Sequence, residues 1–394
     1  MDPRLNPYAP GAGNPPPDLA GRDDIIERAA ISLDRIRNKR AARSFIYYGL
    51  RGVGKTVLLN KIRIDAEARG FAVVPIEAPE GRTLPGILVP NLRVALLKLS
   101  KGEEIKDSLA KSMRALTGFA NALKLKYHDI EIGLDFGAER GLADSGDLDV
   151  DLAELFFTIG EAAVDRKTAL VIFLDELQYV PEEQLAALIS ALHRVSQYQL
   201  PVTIVAAGLP QLLGQMGRAK SYAERLFEFI PINQLEKPDA RDAIINPARE
   251  EGVEISNEAI EEILNQTQCY PYFLQEWGKH SWDATDEPPI EKSDVDKASI
   301  FALADLDASF FRVRFDRLTP NEKRYLRAMA GLGEGQHRSG DIAEALGKKV
   351  ESVSPTRSSL IKKGMIFSPG HGENAFTVPL FGEFMIRIMP GNIE

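Results

Sequence analysis

A chain of 394 residues, 44% hydrophobic and 27% charged, has room for two or three domains with sizeable cores, which excludes a small scaffold stapled by cross-links. Its single cysteine, Cys269, excludes an internal disulfide framework and fits a reducing cytoplasm, and five histidines, at 128, 193, 280, 337 and 371, show no metal-ligand spacing. No apolar run reaches membrane-spanning length, no signal-peptide pattern opens the chain, and a net charge of −9 argues against indiscriminate coating of nucleic acid, so the expectation is a soluble cytoplasmic protein.

Residues 1–20 contain Pro3, Pro7, Pro10, Pro15, Pro16 and Pro17 with glycines between them, which predicts a non-helical extension running over the surface. Gly21-Arg22-Asp23 then opens a helix through about Arg37. Ser44 to Tyr48 is β-branched and aromatic, a buried-strand composition, and Lys55 to Ala68 carries Val57, Leu58, Ile62 and Ala66 at helical spacing. Between them Gly49-Leu50-Arg51-Gly52-Val53-Gly54-Lys55-Thr56 matches G-x-x-x-x-G-K-[ST], so the glycines fall in a strand-to-helix turn. Such a turn bares successive backbone N–H groups at the positive end of a helix, where a triphosphate replaces missing hydrogen-bond partners. Gly49 to Val57 is the expected nucleotide-binding set, with Lys55 on the β- and γ-phosphates and Thr56 on a magnesium ion. The alternative is an ordinary glycine turn.

Phe71 to Glu77 reads as a strand and Leu84 to Leu99 as a helix broken near Pro90. Thr168 to Leu174 is a continuous apolar run, the signature of a central parallel strand buried on both faces, and it ends in Asp175-Glu176. Two acids at a buried strand tip read as a metal-organising carboxylate, Asp175, and a general base, Glu176; the plain alternative is a pair of solvated residues opening a loop. Lys55 and Asp175 are 120 positions apart, more than one strand and one helix require, so about 101–150 is an insertion. Within it Lys124 to Ile132 alternates like an exposed hairpin strand, and Gly137 to Asp151 looks like a mobile acidic loop. Beyond Pro181 come a helical stripe through Val195, a strand Val202 to Ala207, a helix Gln211 to Met216 and a strand Leu226 to Pro231. The alternation predicts an α/β fold, a doubly wound parallel sheet binding its ligand at the carboxyl ends of the strands.

Residues 233–290 turn wholly helical, with Ser256 as a cap for Asn257 to Leu264. Thr319-Pro320-Asn321-Glu322 is a capping box starting a helix to about Met329, Ser339 caps Asp341 to Leu346, and Ser354-Pro355 starts a third helix through Lys363. Short strands Met365 to Ser368 and Asn374 to Val378 flank a Gly370-His371-Gly372 turn, and a last helix holds Leu380, Phe384, Met385 and Ile388. This order predicts that 291–394 is a linker helix and a winged helix whose third helix would enter a major groove. From Arg317 onward eleven Lys and Arg face eight Asp and Glu, and Lys348, Lys349, Arg357, Lys362 and Lys363 cluster around that helix. Contact with double-stranded DNA and use of the winged helix for protein docking are both open on these residues.

Taken together, Gly21-Arg22-Asp23, the GLRGVGKT loop, LVIFLDELQ, the strand ending AAGLP, AERLFEF, a helical lid and a winged helix resemble AAA+ P-loop ATPases of the origin-recognition type and the related STAND group, from residue 19 onward. The resemblance implies a core at 21–232, a helical lid at 233–290, and ATP with Mg2+ as cofactors, no [NT]-K-x-D guanine-reading element being present. It implies adenine contacts at Gly21, Arg22 and Pro271, and at Arg225 an arginine offered to the γ-phosphate of a neighbouring subunit in a homo-oligomer. Arg225 has a structural alternative, pairing with Glu224 or Glu228. Two departures point to slow turnover: Ala206-Ala207 replaces the usual polar side chain at the strand tip, and Tyr272 to Trp277 lacks the lid arginine of many members. The expected function is a nucleotide-dependent switch with slow hydrolysis, coupled to DNA or a protein; the alternative is a non-catalytic ATP-binding module serving transcription control or docking.

Overall fold

The computed structural model describes residues 1–11, 13–17, 19–100, 107–130, 137–370 and 372–391, and they divide into two compact units. One comprises Arg22–Gly49 and Lys55–Ile232; the other comprises Met1–Gly21, Leu50–Gly54 and Asn233–Glu394.

The first unit contains α1 (Asp23–Arg37), β1 (Ser44–Tyr48), α2 (Lys55–Ala68), β2 (Ala72–Glu77), α3 (Leu84–Ser100), α4 (Asp107–Leu123), α5 (Leu148–Asp165), β3 (Leu170–Asp175), α6 (Glu182–Gln197), β4 (Val202–Gly208), α7 (Leu212–Ala219), α8 (Ala223–Leu226) and β5 (Phe227–Pro231). The strands form one parallel sheet in the order β2-β3-β4-β1-β5. Every residue of β3 and β4 is buried, which is why both read as unbroken apolar runs. Pro90 lies inside α3 without ending it.

The insertion holds one long helix, α4, with turns on its C-terminal side where the chain is described. α4 buries Leu109, Met113, Leu116, Phe119 and Leu123 in the same core as β3 and α5, and it packs between α3 and α5. The expected hairpin strand at 124–132 is overturned: residues 124–130 form turns after α4, with Tyr127 and Ile130 buried and Leu125 exposed, while Glu131 and Ile132 lie outside the described residues. Alternation failed here because it followed the end of a helix, where chain direction changes with each turn. Asp129 from this stretch accepts from Thr83 N (2.9 Å) and Thr83 Oγ1 (2.7 Å), fixing the start of α3. The acidic stretch before α5 is likewise ordered by its acids: Asp147 caps the helix, and buried Asp151 accepts from Ser145 N, Ser145 Oγ and Gly146 N.

In the second unit α9 (Lys237–Glu250), α10 (Asn257–Thr267), α11 (Pro271–Ala284) and α12 (Lys292–Asp305) precede a π-helical turn (Leu306–Phe311) and α13 (Arg312–Asp316). Then follow α14 (Pro320–Gly331), β6 (His337–Arg338), α15 (Ser339–Ala345), α16 (Val350–Lys362), β7 (Ile366–Phe367), β8 (Glu373–Phe376) and α17 (Phe381–Ile388). β6-β8-β7 is an antiparallel sheet, with His371 of the β7–β8 turn outside the described residues. Ser256 caps α10, and Thr319 with Glu322 closes a capping box on α14. Two helix starts differ from expectation. α16 begins at Val350 with Pro355 inside it, and Ser339 is the first residue of α15, its hydroxyl donating to Gly372 O at 2.9 Å. Aromatic rings tie the unit together: Tyr272 stacks on Phe310 at 4.5 Å, and Phe311 meets Phe384 at 5.3 Å.

The proline-rich extension makes one short 3-10 turn, Pro3–Leu5, and packs into this unit instead of lying loosely on its surface. Tyr8 is buried and its hydroxyl donates to Ile244 O, while Trp282 Nε1 donates to Asp2 O at 3.0 Å. No described helix is long and apolar enough to cross a membrane. Replacing Tyr8 with alanine removes a buried ring and its hydrogen bond, so Y8A is expected to cost about 3 kcal/mol of stability, measured as the shift of the urea midpoint for the transition that reports on the second unit.

Candidate nucleotide-binding site

β1 is hydrogen-bonded to β4 on one side and β5 on the other, and Gly49 N continues the ladder to Gly208 O at 3.2 Å. The loop that follows turns through Gly52 (φ 87°) and Gly54 (φ 90°), both in the left-handed region that glycine adopts freely. Gly52 is also hemmed in, since a Cβ there would lie 3.0 Å from the Tyr270 ring and 3.2 Å from Tyr272 Cβ. Lys55 opens α2 with its side chain buried, and its Nζ donates to Gly49 O at 3.0 Å, folding the ammonium back over the start of the loop.

Thr56 Oγ1 donates to Asp175 Oδ2 at 2.6 Å. Asp175 ends β3 and is buried, and its other oxygen accepts from Glu176 N at 2.8 Å. Burial pushes this carboxyl above the usual range, while the bonds from Thr56 and the Glu176 amide pull it back. A buried carboxylate beside a hydroxyl is an arrangement a divalent cation completes. Magnesium bound to phosphates takes one or two protein ligands and keeps waters, and among the described residues no group of three or more His, Cys, Asp and Glu side chains is placed to hold a metal alone. Thr56 and Asp175 fit that requirement.

Glu176 has a left-handed backbone (φ 54°, ψ 37°), which turns the chain out of β3 into a 3-10 turn, Leu177–Tyr179. Gln178, in that turn, was not singled out from sequence. It is buried, its Nε2 donates to Glu176 Oε2, and its Oε1 accepts from Leu209 N at 3.0 Å. Gly208 leaves the space it needs, because a Cβ there would stand 2.8 Å from Gln178 Oε1. The one available signal was a glutamine two places beyond the acid pair in an otherwise apolar stretch.

Residues 18–205 match the AAA ATPase domain family. The chain carries an AAA ATPase domain. Residues 308–385 match a domain of unknown function (DUF8462). The fold is similar to that of a Walker-type ATPase of Pyrococcus abyssi (16% identity, 93% of this chain and 96% of that one, TM-score 0.59). It is also similar to the ORC2 protein of Aeropyrum pernix in its ADP form (14% identity, 99% of each chain, TM-score 0.52). No curated protein matches the chain.

Of the remaining residues expected at the site, Arg22 stands at the N-cap of α1 in the AAA ATPase domain, and Val57 lies in the first turn of α2. Gly21 (φ 67°) and Pro271, the first residue of α11, belong to the second unit. Arg225, in α8, is exposed and makes no ion pair among the described residues, with Glu224 or with Glu228, and Glu228 pairs with Arg28. The basic cluster divides in two. Arg357 donates to Asn374 Oδ1 (2.6 Å), Ser368 Oγ (2.9 Å) and Glu373 O (3.2 Å), binding α16 to the hairpin, and Lys363 pairs with Glu322 at 2.7 Å. Lys348, Lys349 and Lys362 are exposed and make no ion pair among the described residues.

Because the folded protein holds the Asp175 proton more tightly than the unfolded chain, the ionised carboxylate costs stability at neutral pH, and the cost fades as pH falls through the raised value. D175N is therefore expected to equal or exceed the wild type in thermal stability without ligand. With Mg-ATP at about a hundred times its Kd, the wild type gains about 2.7 kcal/mol, and the variant loses the magnesium-dependent part of that gain in the same thermal scan.

Proposed function

We propose that the chain is a magnesium-dependent ATPase of low turnover that works as a nucleotide-operated switch, with its C-terminal domain as the output. The observation that carries this reading is the company the phosphate loop keeps: residues 50–54 cluster with the C-terminal segment. Arg51 N donates to Thr377 O at 3.1 Å, Tyr272 N donates to Gly52 O at 3.2 Å, and the Tyr270 hydroxyl donates to Arg51 O. A change in the loop on nucleotide binding therefore acts directly on the lid helix α11 and on the domain that follows it.

In this reading Lys55 leaves Gly49 O for the β- and γ-phosphates, and Thr56 and Asp175 hold the cation, which supplies charge neutralisation at the phosphates when bound. Glu176 accepts the proton of a water whose oxygen bonds to the γ-phosphorus as the bond to ADP breaks. Arg314 adds positive charge near the loop: its guanidinium lies over the Phe310 ring at 3.9 Å, and burial, then the Arg51 charge, lower it to about 10. Two cations close enough to repel one another favour a polyanion beside them. Arg225, exposed at α8, is free to reach a neighbouring subunit. Adenine selection rests on Gly21, Arg22 and Pro271, and the ADP-bound form of the similar ORC2 protein favours an adenine nucleotide. Low turnover follows from the apolar tip of β4, where Ala206 and Ala207 are fully buried.

α14, α15 and α16 with the β6-β8-β7 sheet have the order of a winged helix, and Lys348, Lys349 and Lys362 offer it three unspent charges for duplex DNA. Purified protein is expected to hydrolyse ATP slowly, with duplex DNA raising the rate. K55A should lose nucleotide binding, and E176Q should bind ATP with unchanged Kd while turnover falls at least about a hundredfold. Unchanged turnover in E176Q would refute the assignment of the base. Changing Lys348, Lys349 and Lys362 together to Glu is expected to weaken duplex binding at least about tenfold and to flatten its salt dependence. Equal DNA affinity in that variant would redirect the output to a protein partner.

A further inference from the structure

β4, the strand between β1 and β3, brings no polar side chain to the place where the attacking water must be held, because its tip is Ala206-Ala207-Gly208. The side chain that occupies this position comes from elsewhere. Gln178 reaches across from the 3-10 turn after β3, and its Oε1 accepts the Leu209 amide at 3.0 Å. That backbone donor fixes which end of the amide is oxygen, so the NH2 end must face Glu176, where Nε2 donates to Oε2. Gln215 Nε2 in turn donates to Gln178 O at 3.3 Å, holding the turn from α7.

We infer that Gln178 is the positioning residue for the Glu176 carboxylate, supplying from the turn after β3 the side-chain amide that β4 lacks. The inference rests on the ATPase reading above. A buried amide held at both ends restrains the carboxylate through Oε2, which accepts from Gln178 Nε2. Gly208 belongs to the same device, since any side chain there would expel the glutamine oxygen.

The test is steady-state ATP hydrolysis by the full chain, with ATP Kd measured alongside, for wild type, E176Q, Q178A and Q178E. Q178A is expected to lower kcat at least about tenfold while Kd stays within about twofold, which also reports that the site is folded. Q178E keeps the shape and the acceptor for Leu209 N but places a second carboxyl against Glu176. As the ionised acid it cannot donate to Glu176, so Q178E is expected to lower kcat at least about tenfold while Kd stays within about twofold, a split between turnover and binding that a purely structural role for Gln178 would not give. Wild-type kcat in both Gln178 variants, with E176Q inactive, would overturn this inference and leave the ATPase reading intact. Absence of turnover in wild type and E176Q alike would overturn both.

Discussion

The hydrogen bond between Thr56 and Asp175 fixes the geometry on which the rest of the site depends. It joins the first turn of the helix after the glycine loop to the end of a fully buried strand, two strands away in the sheet. Neither end can drift. β3 is held on both sides, by β2 and β4, and α2 begins where the loop stops, so the hydroxyl and carboxylate meet at a place set by the whole sheet. The arrangement is costly in isolation, because a carboxylate is buried there and the Lys55 charge offsets only part of the desolvation. A fold that keeps such a group has traded stability for a binding position, which is the usual origin of locally unfavourable chemistry at a functional site.

Much of this was legible from the chain because its cause is local. Continuous apolar runs mark strands with two buried faces, and a glycine loop between a strand and a helix has few other uses. The capping box at Thr319 and the cap at Ser256 are set by residues three positions apart, and both form. What escaped depends on distant partners. α4 is covered only by the general reading of 101–150 as an insertion, because its buried face is defined by α3 and α5. Tyr8 stands among prolines and is buried by helices more than two hundred residues away. Gln178 acquires its role from Leu209 and Glu176, and no spacing rule connects the first of these to it.

The basic cluster of the C-terminal domain illustrates the same limit in charge. Residue type says that Arg357 and Lys363 carry positive charge; only the fold says that their donors are already engaged within the domain. Arg357 is the clasp between α16 and the hairpin, and Lys363 answers the buried Glu322 that also closes the α14 capping box. A count of lysines and arginines thus overstates the charge available to a partner, and the surface that remains is carried by Lys348, Lys349 and Lys362.

The contacts of residues 50–54 bear on how such a protein can diversify. Arg51 and Gly52 present backbone atoms to Thr377 and Tyr272, and the ring of Tyr270 packs where only a glycine fits. Hydrogen bonds to main chain do not depend on the side chain that the position carries, so these contacts hold the backbone of Arg51 and Gly52 in place. The loop and the segments that contact it therefore depend on one another for their shape. Exchange of that domain between relatives, as if it were an independent cassette, would leave the loop without the partners that shape it.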